Sequence, residues 1–381
     1  MNPFEGAEIV TAVAEAAAPA ETKLAEEAVA RLATKAGLKR VLGLSATKEG
    51  NGVVSFEEET RRLLAKGKEP LKYQPNIKET DFTDPHEARI KELVDKEIGF
   101  DLLGRMERGT HGAYMLRDPD GVHHIFKLVS DQDVTPQINI SARAAEAVNS
   151  LASRTPRYEA VRFTPSHGSW YMQEVLPGMP SPVPSQKLVN QLVQLNDRQA
   201  GKAVEGASNW NDRITTALHE DGFGWKKHIS GASTDGANLV ARVEELTGSH
   251  APEFVHTDDI VHGDFQHFNA LVSQTDRLTG YVDWEGAGRG DRTIDLSRLL
   301  YDAYVSEAEI RYKPAPTTLA TLSNKIADIS GPNVLKAEMS YWVLQVANYG
   351  AHMGQDHLAM FANVGHKVLN DMFEVAARKS A

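Results

Sequence analysis

Two short stretches in the second half of the chain combine acidic and amide side chains at spacings that suit phosphoryl transfer. The first is residues 261–269, VHGDFQHFN, and the second is residues 281–285, YVDWE. In-line phosphoryl transfer needs a carboxylate beside the attacking hydroxyl and oxygen ligands for metal ions that bridge the phosphates. A loop that carries Asp264 and, five residues later, Asn269 can direct the first at a substrate and the second at a metal ion. Asp283, at the end of the next hairpin, can reach the same metal ion from the opposite side.

Three motifs occur in the order and at the spacing of a known superfamily. They are HGDxxxxN at 262–269, DWE at 283–285 and GDxxxDL at 290–296. This set resembles the aminoglycoside phosphotransferase and choline kinase superfamily, and its first motif is related to the HRDxxxxN loop of protein kinases. The resemblance implies that Asp264 is the catalytic carboxylate, that His262 braces the catalytic loop beside it, and that Asn269 and Asp283 hold Mg²⁺. It also implies that Asp295 is a structural anchor.

The same resemblance implies an ATP clamp in the first half of the kinase-like region. Lys127 lies in HHIFKLV, where a third-strand lysine would pair with the α- and β-phosphates. That lysine needs an acidic partner on the following helix, and Glu146 is the only acid between residues 138 and 153. We therefore expect a Lys127–Glu146 pair, the alternative being a solvated strand lysine and a surface helix glutamate.

Two further segments are expected to contact the nucleotide. The turn RGTHG at 108–112 carries Gly109, Thr110 and Gly112, and its glycines leave backbone N–H groups accessible to phosphate oxygens. An ordinary hairpin turn would have the same composition. The hinge QEVL at 173–176, with Glu174 and Leu176, is expected to meet adenine through its backbone groups.

The acceptor site is expected in the second lobe, between the catalytic loop and the later helices, as the resemblance implies. The candidates are Glu285, Asp302, Trp342 and Tyr349. Helical spacing places Trp342 and Tyr349 on one face together with Gln345, a stripe that is also typical of core packing. The segment 209–212, NWND, and His228 are further candidates for lining the cleft.

The order of the predicted elements indicates an α+β, two-lobed, protein-kinase-like fold. Strands are predicted at 100–107, 113–117, 123–129, 158–164 and 169–176, and helices at 86–98 and 140–153. From residue 185 the pattern is mostly helical, apart from a strand–loop–strand segment at 258–284. The predicted divisions are an accessory, mainly helical extension at 1–85, an N-lobe with a five-stranded sheet at 86–178 and a C-lobe at 179–381. Within the extension, helices are predicted at 7–36 and 57–66, and a hairpin is predicted at 38–56.

Composition excludes several classes of protein. A net charge of −11 argues against nucleic-acid binding, and the absence of cysteine excludes disulfides and thiolate metal sites. The sequence contains no apolar run of about 18 residues, the length that a membrane span needs. Its acidic N-terminus does not resemble a signal peptide. We expect a cytoplasmic protein, while the sequence does not indicate its oligomeric state.

The predicted activity is therefore ATP- and Mg²⁺-dependent phosphorylation of a small-molecule hydroxyl. Residues 256–310 contain eleven acids against four arginines, which favours a cationic acceptor such as an amino sugar or aminoglycoside-type compound. A neutral sugar, a nucleoside or another metabolite remains an alternative acceptor. A protein Ser/Thr kinase is disfavoured because Gly263 replaces the arginine of HRD and DWE replaces DFG. An inactive regulatory module is disfavoured by the intact Lys127, Asp264 and Asn269.

Overall fold

An antiparallel sheet of six strands forms the first half of the fold, in the order β1-β2-β3-β4-β6-β5. The strands are β1 (Ile77–Lys78), β2 (Asp101–Met106), β3 (Tyr114–Arg117), β4 (His123–Ser130), β5 (Tyr158–Thr164) and β6 (Gly168–Glu174). The computed structural model describes residues 77–78, 84–106, 112–149, 154–248 and 251–380. The helices and hairpin predicted between residues 7 and 66 lie outside these residues, as do Gly109 and Thr110.

The five predicted strands are confirmed, and side-chain hydrogen bonds explain where β3 ends and β4 begins. Between β3 and β4, Asp118 Oδ1 accepts the backbone N–H groups of Asp120 (3.0 Å) and Val122 (2.8 Å), while Gly121 adopts φ +82°. The additional strand β1 lies within the predicted extension 1–85 and pairs with β2. The end of that segment therefore adds an edge strand to the sheet.

Two helices accompany the sheet. Helix α1 (Pro85–Leu93) begins where the Asp84 side chain accepts the His86 N–H, and it continues as a π-helical turn over Val94–Ile98. Helix α2 (Thr135–Val148) begins five residues before the predicted 140–153, because Pro136 occupies its first turn and Asp133 accepts the Thr135 N–H. Apolar side chains of α1 pack on Tyr114, Leu116 and Phe126 of the sheet.

The second half is mostly helical, as predicted. Its helices are α3 (Gln186–Asp197), α4 (Trp210–Thr215), α5 (Trp225–Ala232), α6 (Thr234–Thr247), α7 (Thr293–Glu309), α8 (Pro316–Ser330), α9 (Pro332–Met353) and α10 (Gln355–Ser380). Strand β7 (Met179–Pro180) joins β9 (Ala270–Val272) and β10 (Leu278–Tyr281) in one small sheet, and β8 (Asp259–Val261) pairs with β11 (Gly288–Gly290). No helix in the described part of the chain is long and apolar enough to cross a membrane.

One large core lies among the C-lobe helices. Helix α9 packs on α7, α8 and α10, and the rings of Trp210, Tyr341 and Trp342 meet between the helices. Ala144, Ala145 and Val148 of α2 belong to the same core, so this N-lobe helix is packed against the second half of the fold.

Gly263, in the turn after β8, occupies a position that only glycine fits. Its φ is +83°, and a Cβ atom there would lie 2.4 Å from Trp210 Cζ2 and 2.6 Å from the Gly286 carbonyl oxygen. Both the backbone conformation and the close approach of Trp210 exclude a side chain. The arginine that protein kinases carry at this position therefore has no space here.

Replacing Gly263 with alanine should destabilise the protein more than the same change at Gly201. Gly201 also has a left-handed φ, +64°, but no atom lies within 4 Å of the point that a Cβ atom would occupy there. Gly201→Ala should therefore cost about 1 kcal/mol for the backbone conformation alone. Gly263→Ala should cost about 2 kcal/mol more because Trp210 and Gly286 must move. Denaturant unfolding of both variants measures the difference, and equal costs would contradict the steric argument.

Candidate active site

The catalytic loop is held in place by a buried carboxylate from α7. Asp295 accepts the backbone N–H groups of His262 (2.8 Å) and Gly263 (3.0 Å), and the side-chain amide of Gln199 donates to it at 2.6 Å. Burial raises the pKa of Asp295 to about 7, against the lowering effect of these three donors. Asp295 thus occupies the anchoring position expected from the sequence.

His262 braces the loop through both ring nitrogens. Its Nδ1 accepts the Asp264 N–H at 3.2 Å, and its Nε2 lies 3.0 Å from the Val282 carbonyl oxygen, so Nε2 carries the proton. The ring is fully buried and packs against Tyr281 and Trp284. Burial lowers the pKa of His262 to about 4. Because both nitrogens are engaged within the loop, His262 positions Asp264 and is not itself available to a substrate.

Asp264 lies at the centre of the loop and is 5% exposed. One carboxylate oxygen accepts the amide groups of Gln266 (2.9 Å) and Asn269 (3.0 Å), and Arg298 Nε lies 3.5 Å from the other oxygen. Burial raises the pKa of Asp264 to about 6, with Asp283 adding to the effect and Arg298 opposing it. A carboxyl group with this pKa is suited to accepting a proton near neutral pH.

Asn269 and Asp283 are brought together by the hairpin β9–β10. Ala270 pairs with Tyr281, and Val282 N–H donates to the Asn269 carbonyl oxygen at 2.9 Å. The Asn269 side-chain N–H groups point back to Asp264, which leaves the amide oxygen for other contacts. Asp283 adopts φ +69°, a left-handed conformation that is uncommon for a non-glycine residue.

The chemistry of this donor pair fits Mg²⁺. A carboxylate and an amide oxygen are hard ligands, and Mg²⁺ is usually held by one or two such protein groups together with phosphate oxygens. Among the described residues, no group of three or more acidic or histidine side chains is arranged to hold a metal ion. The chemistry of Asn269 and Asp283 is thus compatible with Mg²⁺, and their role as metal ligands stays a prediction.

Lys127 reaches the same site from the N-lobe sheet. Its ammonium group donates to Asp283 at 2.9 Å and to Glu285 at 2.8 Å. Burial acts to lower the pKa of Lys127, but the two carboxylates prevail and hold it above its ordinary value. The lysine predicted to contact phosphates thus lies directly beside a predicted metal ligand.

The predicted Lys127–Glu146 pair does not form in this structure. Glu146 is exposed on α2, whereas the buried face of that helix presents Ile138, Ser141 and Ala145. Helical periodicity turns position 146 away from this face, so being the only acid on the helix did not place Glu146 at the site. Glu285, expected to bind the acceptor, instead contacts Lys127.

The predicted nucleotide-hinge residues have structural partners. Glu174 accepts Arg154 Nη2 at 2.7 Å and the Arg157 N–H at 3.0 Å, which ties β6 to the segment before β5. Leu176 is buried close to Gly280 of the β9–β10 hairpin. Gly112 has φ +61°. Contacts of these residues with a nucleotide stay predictions.

Asp302 and Trp342, predicted to bind the acceptor, are committed to the interior. Asp302 accepts both the backbone N–H (3.0 Å) and the ring Nδ1 (2.5 Å) of His267, and Trp342 is fully buried with its N–H on Ser297 Oγ at 2.9 Å. Both lie where α7 and α9 pack against other elements, so these predictions are not supported. Tyr349 is only partly buried, and burial raises its pKa to about 12.

The 209–212 segment and His228 also have structural partners. Asn209 caps α4, and Trp210 packs over Gly263. The ring Nδ1 of His228 lies 2.8 Å from Asn348 Oδ1. These contacts position α4 and α5 against the rest of the C-lobe.

Arg298 and Gln266 are site residues that the sequence reasoning missed. Arg298 is 5% exposed and donates to Gln266 Oε1 at 2.9 Å, so the two side chains form a bridge to Asp264. A signal was present in the sequence: Arg298 follows Asp295 by three residues on α7, and residues at this spacing share one helix face. An anchor at Asp295 therefore implied that Arg298 also faces the loop.

The antiparallel sheet and the helical second lobe form a two-lobed, protein-kinase-like fold, and Lys127, Asp264, Asn269 and Asp283 lie together between them. The family model described as "Phosphotransferase enzyme family" matches residues 107–316, more than half of the 381 residues. The chain belongs to this family, in agreement with the resemblance seen in its motifs.

Solved structures share this fold at low sequence identity. A thermostable mutant of aminoglycoside phosphotransferase APH(4)-Ia in its apo form is 16% identical, with a TM-score of 0.55 over 74% of this chain and 98% of that chain. A further thermostable mutant of that enzyme, in a ternary complex with AMP-PNP and hygromycin B, is 14% identical, with a TM-score of 0.54 over 74% and 97%. The GDP and kanamycin complex of APH(2")-IIia is 12% identical, with a TM-score of 0.52 over 74% and 99%. No curated protein matches the chain.

The buried neutral His262 should make stability fall in mild acid. Its pKa is about 4 in the folded protein against the ordinary 6.5, so only the unfolded chain gains the proton between these values. The stabilisation is complete above pH 6.5 and is lost as pH falls towards 4. Between pH 7.5 and 5, the metal-free protein should lose about 2 kcal/mol more unfolding free energy than His262→Gln. Urea titrations at both pH values measure this.

The matched control for this experiment is the exposed His86. His86→Gln should keep the pH dependence of the unchanged protein, because its side chain is solvated in both states. If His262→Gln and the unchanged protein lose equal stability on acidification, His262 is not held neutral by burial.

Proposed function

We propose that the chain transfers the γ-phosphoryl group of ATP, with Mg²⁺, to a hydroxyl group of a small molecule. The observation that carries this proposal is a continuous line of contacts across the site. The Asp264 carboxylate accepts a hydrogen bond from the Asn269 amide, and the Asn269 carbonyl oxygen accepts one from the backbone N–H next to Asp283. Asp283 in turn accepts a hydrogen bond from Lys127. A base, two oxygen ligands and a phosphate-binding cation are the groups that in-line phosphoryl transfer requires.

Asp264 is proposed to receive the proton of the acceptor hydroxyl. Gln266 and Asn269 hold one of its oxygens, and His262 orients the backbone beneath it. These contacts aim the carboxylate before the substrate arrives, so little reorientation is needed during reaction. Arg298 lowers the pKa of Asp264 and so keeps a larger share of it ionised.

The remaining groups are proposed to hold the nucleotide. Asn269 and Asp283 would hold Mg²⁺, which neutralises phosphate charge when bound. Lys127 would donate to phosphate oxygens, as the corresponding lysine does in protein kinases. ATP is the proposed phosphoryl donor.

An amine-bearing acceptor, such as an amino sugar or aminoglycoside, is the proposed substrate class. It is supported by the acidic balance of residues 256–310 and by the aminoglycosides named in the complexes of two structures with the same fold.

A neutral sugar or nucleoside is the second candidate, for a specific reason. Two of the acids expected to attract a cation, Glu285 and Asp302, are bonded to Lys127 and His267. The local negative field is therefore weaker than the count of acids suggests.

Asp264→Asn should abolish most phosphoryl transfer while nucleotide binding persists. The amide retains the size of the carboxylate but cannot accept the proton, so kcat should fall about 10²–10⁴-fold. ATP turnover with an acceptor and the Kd of Mg·ADP are measured together. Asp276→Asn, on the exposed turn between β9 and β10, is the matched control and should behave as the unchanged enzyme. Turnover of Asp264→Asn within threefold of the unchanged enzyme would exclude the assigned role.

Each amino sugar should be a better substrate than its neutral hydroxyl analogue. Favourable charge should raise kcat/KM about tenfold at low ionic strength, and added salt should reduce that advantage. Paired assays of the two analogues at low and high salt measure both effects. A higher kcat/KM for the neutral analogue would favour the second candidate.

A further inference from the structure

We propose that Glu285, rather than an acid on helix α2, positions Lys127 for contact with the nucleotide phosphates. This inference rests on the proposed function and assigns to a C-lobe residue a task expected of the N-lobe helix. Glu285 lies in the segment that follows β10, two residues after Asp283.

The contacts between Lys127 and Glu285 are direct and shielded from water. The Lys127 ammonium group lies 2.8 Å from Glu285 Oε1, and their side chains are 13% and 9% exposed. A lysine has a long side chain with many rotamers, so a fixed acceptor is needed to hold its ammonium group in one place. Glu285 supplies such an acceptor and is the less exposed of the two carboxylates that contact Lys127.

Tyr171 fixes the carboxylate that receives the lysine. Its hydroxyl group donates to the same Glu285 oxygen at 2.5 Å. Tyr171 and Lys127 are directly paired on neighbouring strands β6 and β4, so both side chains leave the same face of the sheet. The two donors therefore hold one carboxylate oxygen between them.

Helix α2 contacts Glu285 without contributing an acid. Ser141 Oγ lies 3.3 Å from the Glu285 carbonyl oxygen, and Gln137 Nε2 lies 3.3 Å from the Ala287 carbonyl oxygen. Polar side chains on the inner face of α2 thus hold the backbone of the Glu285 segment. Glu146, the acid that this helix carries, is exposed.

This arrangement links the orientation of Lys127 to the approach of the two lobes. The lysine belongs to the N-lobe sheet, whereas its two acidic partners belong to the C-lobe segment 283–285. Separation of the lobes would remove both partners together. Lys127 would then be correctly placed only when the sheet is docked on the metal-binding segment.

A double-mutant cycle on nucleotide binding tests the inference. The Kd of Mg·ADP is measured by calorimetry for the unchanged protein, Glu285→Gln, Lys127→Ala and the double variant. If Glu285 acts through Lys127, Glu285→Gln should weaken binding about tenfold alone and less than about twofold when Lys127 is already alanine. A role of Glu285 as a metal ligand, or a general loss of structure, would weaken binding equally in both backgrounds and would overturn the inference.

Two further variants make the test specific. Tyr171→Phe removes one contact of the same carboxylate and should weaken binding by a smaller factor, which also disappears in the Lys127→Ala background. The Tyr171→Phe variant replaces Glu285→Gln in the cycle if Glu285→Gln does not fold. Glu146→Gln is the matched control and should bind Mg·ADP as the unchanged protein does; a tenfold loss there would return the positioning role to α2.

The cycle separates this inference from the proposed function. If the unchanged protein binds no Mg·ADP under saturating conditions, the proposed function fails and the inference fails with it. If the unchanged protein binds Mg·ADP and the effects of the two substitutions add, only the role of Glu285 is overturned.

Discussion

The site depends on the hydrogen bonds that Asp295 accepts from the backbone of the catalytic loop. A turn that approaches Trp210 closely, at a left-handed glycine, leaves its N–H groups facing inward, where no water can satisfy them. The buried carboxylate satisfies the N–H groups of His262 and Gly263 and fixes the loop to helix α7. Because Arg298 lies one turn further along that helix, the same attachment also places a cation beside Asp264. The position of Asp264 therefore follows from the position of one helix.

The second organising feature is the concentration of charge between the lobes. The Lys127 and Glu285 side chains are largely shielded from water, and a charge left unpaired there would be strongly destabilising. Lys127 belongs to the N-lobe sheet and its two acidic partners belong to the C-lobe. The ion pairs that balance charge in the site therefore also hold the sheet against the C-lobe. In the proposed function, a nucleotide would bring its phosphate charges to a Lys127 ammonium group that Glu285 already holds in place.

Sequence predictions that rest on neighbouring residues agree with the structure, whereas those that depend on how separate elements pack do not. Asp264, Asn269 and Asp283 lie in short motifs, and the expected proximity of the last two follows from a single hairpin register, which brings Asn269 beside the backbone preceding Asp283. The five strands of the sheet were likewise predicted from local alternation and turn residues. The pairing of Lys127 with Glu146 failed because it required the orientation of a helix relative to a strand. The same limit explains why Asp302 was expected in the cleft, whereas packing of α7 directs it to His267.

The sequence by itself determined the class of the protein, its strand pattern and the loop and hairpin that carry Asp264, Asn269 and Asp283, because motif spacing within one loop and one hairpin leaves few geometries. Only the tertiary structure decided which acid receives Lys127 and which helical side chains face the site. Those choices depend on how α2, α7 and the sheet pack, and a change of one helical position rotates a side chain by about 100°. Local spacing does not encode that rotation; the burial of each helix's apolar face decides it.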